Sequence, residues 1–258
     1  MTQREKAETF RALHQGEPFV IPNPWDAGSA RMMEALGFRA LTTTSSGFAF
    51  TLGRLDGGVT LDELVEHVRV MATATSLPVA VDLENGYGDA AAAITRVAGA
   101  GAVGGSIEDY DPGSGLLPFD AAVERVAAAV AAARALDFPF TFVARAENHL
   151  HGVDDLDDTI ARLQAYEQAG ADVLYAPGLR STDQIRAIVS AVSRPVNVLG
   201  HAGFTVAEIV GAGAQRISVG GALTWVAVAA AAEAAERLRD GDLSVLTARV
   251  PLADWLSD

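Results

Sequence analysis

The sequence predicts an α/β protein of the (β/α)8 TIM-barrel class. Eight short β-rich runs alternate strictly with helical segments along the 258 residues. One pattern recurs at Gly101, Gly170 and Gly213: a helix stops at the glycine, and a β-rich run begins two or three residues later. Such turns are typical of βαβ units, because glycine ends a helix cheaply in the left-handed conformation. A doubly wound open sheet is the alternative that this pattern allows.

The elements follow one another without a linker. A polar helix over residues 2–14 comes first, and Asp26 can cap the second helix by accepting hydrogen bonds from its free amides. We expect strands near Phe19, Ala40, Val79, Val103, Phe140, Val173, Val196 and Ile217. We expect helices over 27–36, 60–75, 89–100, 119–136, 156–169, 182–191, 205–211 and 222–239. One barrel domain over residues 1–258, with a C-terminal helical tail, is therefore predicted.

Composition excludes several classes of function. The net charge of −14 argues against nucleic acid or a membrane surface as a partner, because either would require a basic face. The absence of cysteine excludes disulfides, thiolate metal sites and a cysteine nucleophile. The polar N-terminus does not resemble a signal peptide, and no uninterrupted apolar run reaches about 18 residues. We therefore expect a cytoplasmic protein.

Polar and charged residues concentrate at the carboxyl ends of the predicted strands. They are Asn23, Ser45-Ser46-Gly47, Asp82, Glu84, Glu108, Asp109, Arg145, Glu147, Tyr175, Asn197 and Ser218. The amino ends read Pro18, Arg39, Pro78, Ala102, Pro139, Asp172 and Pro195, with a single acid. Because ligands bind beyond the carboxyl ends of parallel strands, this asymmetry predicts a site.

Three of these acids favour a metal site. Asp82, Glu84 and Glu108 come from neighbouring strands and would repel one another unless a cation neutralises them. Oxygen ligands without histidine or cysteine indicate a hard ion, Mg²⁺ or Mn²⁺, held largely through water. Alternatively, the acids cap the following helices or pair with Arg145.

The substrate side of the predicted site is cationic and polar. The Arg145 guanidinium suits a bidentate grip on a carboxylate, although a salt bridge to Glu108 or Glu147 is also compatible with its position. The amides of Ser45-Ser46-Gly47 form either an anion-binding concavity or an ordinary turn after a strand over 38–44. Asn197, at another strand end, is assigned to substrate binding.

Taken together, the motifs resemble the isocitrate lyase/phosphoenolpyruvate mutase superfamily. Their order and spacing carry the resemblance, through the segments Pro22-Asn23-Pro24-Trp25-Asp26, Thr44-Ser45-Ser46-Gly47, Gly53-Arg54-Leu55-Asp56-Gly57-Gly58, Asp82-Leu83-Glu84-Asn85-Gly86-Tyr87-Gly88, Ile107-Glu108-Asp109, Ala144-Arg145 and Arg216-Ile217-Ser218. The resemblance implies a (β/α)8 barrel, often with the last helix exchanged between the subunits of a dimer or tetramer. It also implies Mg²⁺-assisted chemistry on α-oxo carboxylates.

The resemblance assigns roles to particular residues. Asp82 would be the main metal-side carboxylate, with Glu84 and Glu108 behind water ligands. The amides of Ser46 and Gly47, together with Arg145, would hold the substrate carboxylate. Asp56 lies on the family's mobile loop, where an acid takes part in the chemistry, so Asp56, Arg145 and Glu108 are the predicted catalytic residues.

Two departures from the family narrow the function. Glu84 stands where the family usually has Asp, and segment 110–118 lacks the cysteine motif of the isocitrate and methylisocitrate lyases. We therefore expect an Mg²⁺-dependent lyase or decarboxylase that cleaves a C–C bond of a small α-oxo or 2-hydroxy dicarboxylate through a pyruvate-type enolate. Phosphorus–carbon chemistry, as in a phosphoenolpyruvate phosphonomutase or phosphonopyruvate hydrolase, is one alternative. A catalytically silent oxo-acid binder is another, and a homo-oligomer is expected in each case.

Overall fold

The computed structural model describes residues 1–256, and eight parallel strands within them form one curved sheet. They are β1 (Phe19–Ile21), β2 (Leu41–Thr42), β3 (Val79–Asp82), β4 (Gly104–Glu108), β7 (Thr141–Arg145), β8 (Val173–Tyr175), β9 (Val196–Leu199) and β10 (Arg216–Ser218), with a hairpin of β5 (Tyr110–Asp111) and β6 (Gly115–Leu116) after β4. The sheet order is β1-β10-β9-β8-β7-β4-β3-β2. The Thr42 amide donates to the Pro22 carbonyl (3.1 Å) and bridges β2 to the end of β1. The prediction of a (β/α)8 barrel is confirmed.

Helices alternate with the strands as the sequence indicated. They are α1 (Gln3–Leu13), α2 (Ala27–Ala35), α3 (Ser45–Thr51), α4 (Leu61–Ala74), α5 (Ala90–Gly99), α6 (Phe119–Ala135), α7 (Leu156–Gln168), α8 (Thr182–Ala191), α9 (Val206–Gly211), α10 (Ala222–Arg239) and α11 (Leu252–Leu256), with a 3₁₀ turn at Leu243–Val245. Asp26 caps α2 as predicted, accepting from the Ser29 amide at 2.7 Å. None of the helices within residues 1–256 combines the length and the apolar character needed to cross a membrane. The predicted tail extends to residue 258, and residues 257 and 258 lie outside the described residues.

The amino ends of the strands are covered by α1. Phe10 is fully buried against Phe19 and Val103, and a Cβ on Gly104 would lie 2.7 Å from its ring. Gln215, just before β10, donates to the carbonyls of the segment that follows α1. Apolar side chains therefore fill the barrel beneath α1, and the carboxyl ends are the side at which ligands bind in barrels of this class.

Two local expectations are wrong. The strand expected over 38–44 is only β2, and Ser45-Ser46-Gly47 is the first turn of α3 rather than a turn that closes a strand. Thr44 explains the difference, because its side chain accepts from the Gly47 amide (3.3 Å) and caps the helix. The hairpin of β5 and β6 also lies where the sequence showed no readable pattern.

Candidate active site

Arg145, the last residue of β7, lies among three carboxylates. Its Nη1 donates to Asp82 Oδ1 at 2.7 Å, its Nη2 is 3.0 Å from Glu108 Oε2, and its Nε donates to Glu147 Oε1 at 2.8 Å. The Arg145 side chain is only 11% exposed. The predicted salt bridges to Glu108 and Glu147 are therefore both present, and Asp82 adds a third.

Side chains of helix α7 hold Asp109, which in turn bonds to the backbone of Glu147 in the acid cluster. The Glu147 amide donates to Asp109 Oδ1 (2.8 Å), while Asp109 Oδ2 accepts from Arg162 Nη1 (3.0 Å) and from the Tyr166 hydroxyl (2.5 Å). Glu147 is fully buried, and its Oε2 has no hydrogen-bond partner among residues 1–256. Asp109 is thus a positioning residue that orients the end of β7.

Several carboxyl groups surround the single guanidinium of Arg145. Burial raises the pKa of Glu108 to about 8 against the opposing charge of Arg145, and the nearby carboxylates of Glu147 and Asp82 add to the rise. Burial also raises the pKa of Glu84 to about 7, although the Tyr87 hydroxyl donates to Glu84 Oε1 at 2.7 Å. Both groups therefore resist ionisation near neutral pH unless further positive charge arrives.

The turn after β3 holds Glu84 in an uncommon conformation. Glu84 and Tyr87 have φ values of 47° and 55°, in the left-handed region that non-glycine residues rarely occupy. Gly86 is required there, because its φ is 82° and a Cβ would lie 3.1 Å from Ala90 Cα. Left-handed non-glycine residues typically cost on the order of 1–3 kcal/mol and cluster at functional sites.

The start of α3 packs tightly beside Asp82. The Ser45 amide lies 3.4 Å from Asp82 Oδ2, and the Ser46 hydroxyl lies 3.2 Å from Thr44 Oγ1. Gly47 is buried, and a Cβ there would lie 2.6 Å from Thr224 Oγ1 at the start of α10. The backbone amides of Ser45 and Gly47 thus already have partners within the protein. Binding of the substrate carboxylate by backbone amides of this segment stays a prediction.

A cavity of about 200 Å³ opens at this end of the barrel. Of the predicted site residues, the cavity is lined by Ser45, Ser46, Asp56, Asp82 and Arg145. Glu84 and Glu108 lie beside it, in contact with Tyr87 and Arg145.

Asp56 reaches the cavity from the loop that follows α3. The residue is exposed as a whole, while its carboxylate is turned toward the cavity and hydrogen-bonds with the Ser45 side chain. Partial burial raises the pKa of Asp56, and the charge of Asp82 adds to the rise. An exposed loop therefore carries an acid whose proton affinity is set by the cavity.

Asn197 is not among the described residues that line the cavity and lies behind Arg216, which does line it. Asn197 is fully buried; its Nδ2 donates to Ser218 Oγ (2.9 Å) and its Oδ1 accepts from Arg216 Nε (2.8 Å). Its contact with substrate stays a prediction. Arg216 and Tyr175 line the cavity without having been assigned a role. The sequence contains one signal that could have placed Arg216 in the cavity. Polar Arg216 and Ser218 alternate around an apolar residue, and alternate residues of a strand share a face.

The described acidic side chains do not form a complete metal-binding site by themselves. Within residues 1–256, no group of three His, Cys, Asp or Glu side chains is arranged to hold a metal ion by itself. Arg145 lies among the acids, yet Glu84 and Glu108 keep raised pKa values, mainly because they are buried and further because neighbouring carboxylates add to the rise. This oxygen-donor set fits a hard divalent ion that contacts few side chains directly and keeps several waters.

Comparison with known proteins identifies the family of this chain. The family model described as phosphoenolpyruvate phosphomutase matches residues 10–239. The chain belongs to the phosphoenolpyruvate phosphomutase family. A relative named oxaloacetate decarboxylase, from Bradyrhizobium sp. strain BTAi1, is 34% identical over 259 residues, which cover 93% of this chain and 88% of the relative.

Solved structures extend the likeness across the superfamily. A Burkholderia cenocepacia J2315 protein named as a candidate lyase/mutase is 49% identical, with a TM-score of 0.95 over 99% of this chain and 97% of that one. Oxaloacetate acetylhydrolase bound to its product oxalate is 28% identical (TM-score 0.87, 97% and 92% coverage). Phosphonopyruvate hydrolase bound to oxalate and Mg²⁺ is 25% identical (TM-score 0.85, 97% and 92% coverage).

Proposed function

We propose that this protein is a C–C lyase or decarboxylase that acts on a small α-oxo or 2-hydroxy dicarboxylate with the help of Mg²⁺ or Mn²⁺. The observation that carries the proposal is the surplus of carboxyl groups around Arg145, beside a cavity that also receives Asp56. Relatives named for oxaloacetate decarboxylation and oxaloacetate hydrolysis support this class of substrate.

The metal would be held by Asp82, with Glu84 and Glu108 acting through water. When bound, a divalent ion supplies the positive charge that stabilises an enolate oxygen. Arg145 keeps Asp82 and Glu108 in fixed positions, since its guanidinium bonds to both. Ser46 lines the cavity and would hydrogen-bond the substrate carboxylate.

Asp56 is the proposed proton carrier. Burial raises its pKa and so favours the protonated acid more than in an exposed aspartate, and its hydrogen bond with the Ser45 side chain keeps it at the cavity edge. With oxaloacetate as the substrate, the C3–C4 bond breaks, C4 leaves as carbon dioxide, and the bonding electrons remain as the pyruvate enolate. Asp56 then gives its proton to C3, which completes pyruvate, and takes up a new proton from water. This role replaces the acid that a cysteine provides in the isocitrate lyases, which the chain cannot supply.

The test is a panel of oxo and hydroxy diacids. Pyruvate release from oxaloacetate and from substituted malates should require Mg²⁺ and fall to background in Asp82→Ala. Phosphorus NMR of phosphonopyruvate incubated with the same protein tests the alternative chemistry that the hydrolase neighbour represents. Phosphate or phosphoenolpyruvate formation without any release of oxo acid from the diacids would overturn the proposal.

A further inference from the structure

Two arginines line the cavity, and their surroundings are opposite. Arg145 contacts three carboxylates, so its charge is more than compensated. Arg216, at the start of β10, forms no ion pair with any of residues 1–256 and is only 3% exposed. The cavity therefore has a rim rich in carboxyl groups and, deeper in the barrel, a cation that forms no ion pair with the described residues.

The partners of Arg216 are all neutral. Its Nε donates to the amide oxygen of Asn197 at 2.8 Å, and its Nη1 lies 3.5 Å from His14 Nε2. Because His14 Nδ1 lies 2.8 Å from the Phe10 carbonyl, which can only accept, Nδ1 carries the proton and Nε2 presents a lone pair to Arg216. Burial and the Arg216 charge lower the pKa of His14 to about 3, so this histidine stays neutral.

Arg216 nevertheless remains charged. Burial lowers its pKa to about 10, which still leaves the guanidinium protonated at neutral pH. Tyr175 does not compensate it, since burial raises the pKa of that hydroxyl to about 12. Buried ions are normally paired, because an isolated charge loses its hydration without recovering the energy. An anion that enters the cavity would supply the missing partner.

We propose that Arg216 is a second anion-binding residue of the cavity, which takes one carboxylate of the substrate while the acidic rim faces the metal. Asn197 and His14 are positioning residues that orient the guanidinium. The identity of the ligand as an oxo diacid rests on the proposed function, whereas the anion site itself rests on the burial and the missing counter-ion. An acidic rim alone would repel a dianion, and Arg216 offsets this repulsion from within the barrel.

Two variants test Arg216 by different routes. Arg216→Met removes the charge and keeps an apolar chain of similar length. Asn197→Asp is nearly isosteric and places a carboxylate at the position of the oxygen to which Arg216 Nε already donates at 2.8 Å. The charge of Arg216 is then neutralised without creating a cavity in the barrel interior. Arg69→Met is the matched control, because Arg69 is exposed and pairs only with exposed Glu66.

The measurement is calorimetric titration of oxalate and malonate into each metal-loaded protein, with melting temperatures recorded alongside. We expect at least tenfold weaker binding in Arg216→Met and Asn197→Asp, and unchanged binding in the control. Anion-induced stabilisation should shrink in both variants even if their unliganded melting temperature rises.

Other outcomes separate this inference from the proposed function. Folded Asn197→Asp protein that binds oxalate within twofold of the wild type would show that Arg216 is structural and would overturn the inference. Wild-type protein that binds neither anion would overturn it as well. Wild-type protein that binds oxalate in an Arg216-dependent manner but releases no pyruvate would contradict the proposed function and uphold the inference.

Discussion

Arg145 controls the charge of the site because it pairs with three of its acids, Asp82, Glu108 and Glu147. Glu84 and Glu108 retain raised pKa values even beside it, mainly because they are buried. Their protons are therefore bound more tightly in the folded chain than in the unfolded one, where the pKa of glutamate is about 4.5. This difference links both stability and metal binding to pH.

The pH dependence of the metal-free protein follows from these shifts. Stabilisation by the two protonated acids is complete below about pH 4.5, weakens above that pH and is lost as the pH rises through the folded pKa values of about 7 and 8. Urea unfolding at several pH values measures it. Glu108→Gln should flatten the decline, whereas Glu124→Gln, on the outer helix α6, should leave it unchanged. A metal-free wild type whose stability increases from pH 6 to 8 would contradict this origin.

Metal affinity should change in the opposite direction. Because Glu84 and Glu108 must lose their protons to face a cation, Mg²⁺ binding should tighten several-fold from pH 6 to pH 8 and release protons. Calorimetry in buffers of different ionisation enthalpy counts those protons. Binding that is equally tight at both pH values, without proton release, would exclude the two acids from the metal's surroundings.

Asp56 gives the sharpest residue-level prediction. Asp56→Asn should lower kcat roughly 10²–10⁴-fold, the range typical of a lost general acid, with little change in melting temperature because the residue lies on an exposed loop. Asp62→Asn is the control, since Asp62 is an exposed acid paired with Arg96. Turnover of Asp56→Asn within a factor of three of the wild type would remove Asp56 from the chemistry.

At the scale of elements, the loop after α3 is the segment we expect to move. Leu55 is 88% exposed, while Arg54 anchors the loop by donating to the Gly58 carbonyl and to Glu63. Trypsin should cut early after Arg54, and oxalate with Mg²⁺ should slow that cut several-fold while leaving cleavage near exposed Arg239 unchanged. Equal rates at Arg54 with and without ligand would show that the loop does not close on the site.

The elements show where sequence reasoning succeeded and where it failed. Strands that end in acids, such as β3 and β4, were predictable because a β-branched or apolar run and the polar residue after it are local features. Helix α3 was missed because Thr44 belongs to a β-rich run in sequence but acts as a helix cap. The hairpin at 110–118 depends on Asp111, which is held by Asn85 and Arg125 from other elements, and distant contacts of this kind leave no local pattern.

At the scale of the molecule, α10 exposes more apolar surface than a barrel helix should. Thr224 is the only buried residue among its 18, and Trp225 and Val226 are 44% and 67% exposed. We therefore predict a homodimer or homotetramer in which α10 packs against another subunit. Solution scattering at micromolar concentration should give a multiple of the 26.8 kDa chain mass. Val226→Glu should shift it toward the monomer, whereas Glu124→Gln, at an exposed position of α6, should not. A monomeric wild type would contradict the prediction.

The whole barrel was predictable, and the candidate site only in part. Alternation of strands and helices fixes which strand ends share a rim, so Asp82 and Arg145 could be placed together before any coordinates. The inner wall could not be predicted, because Arg216 and Asn197 meet through the pairing of β9 with β10. That Arg216 forms no ion pair within residues 1–256 is likewise a property of the packed barrel. Sequence indicates which residues reach the rim, whereas folding decides which charges are neutralised.

The central claim is that the site stabilises a pyruvate-type enolate. The most direct measurement is proton NMR of pyruvate in deuterium oxide with the protein and Mg²⁺, because exchange of the C3 protons requires that enolate and no other reaction. The account predicts exchange well above the metal and buffer background, lost in Asp82→Ala and after chelation. Exchange no faster than background, with protein that binds oxalate, would contradict it.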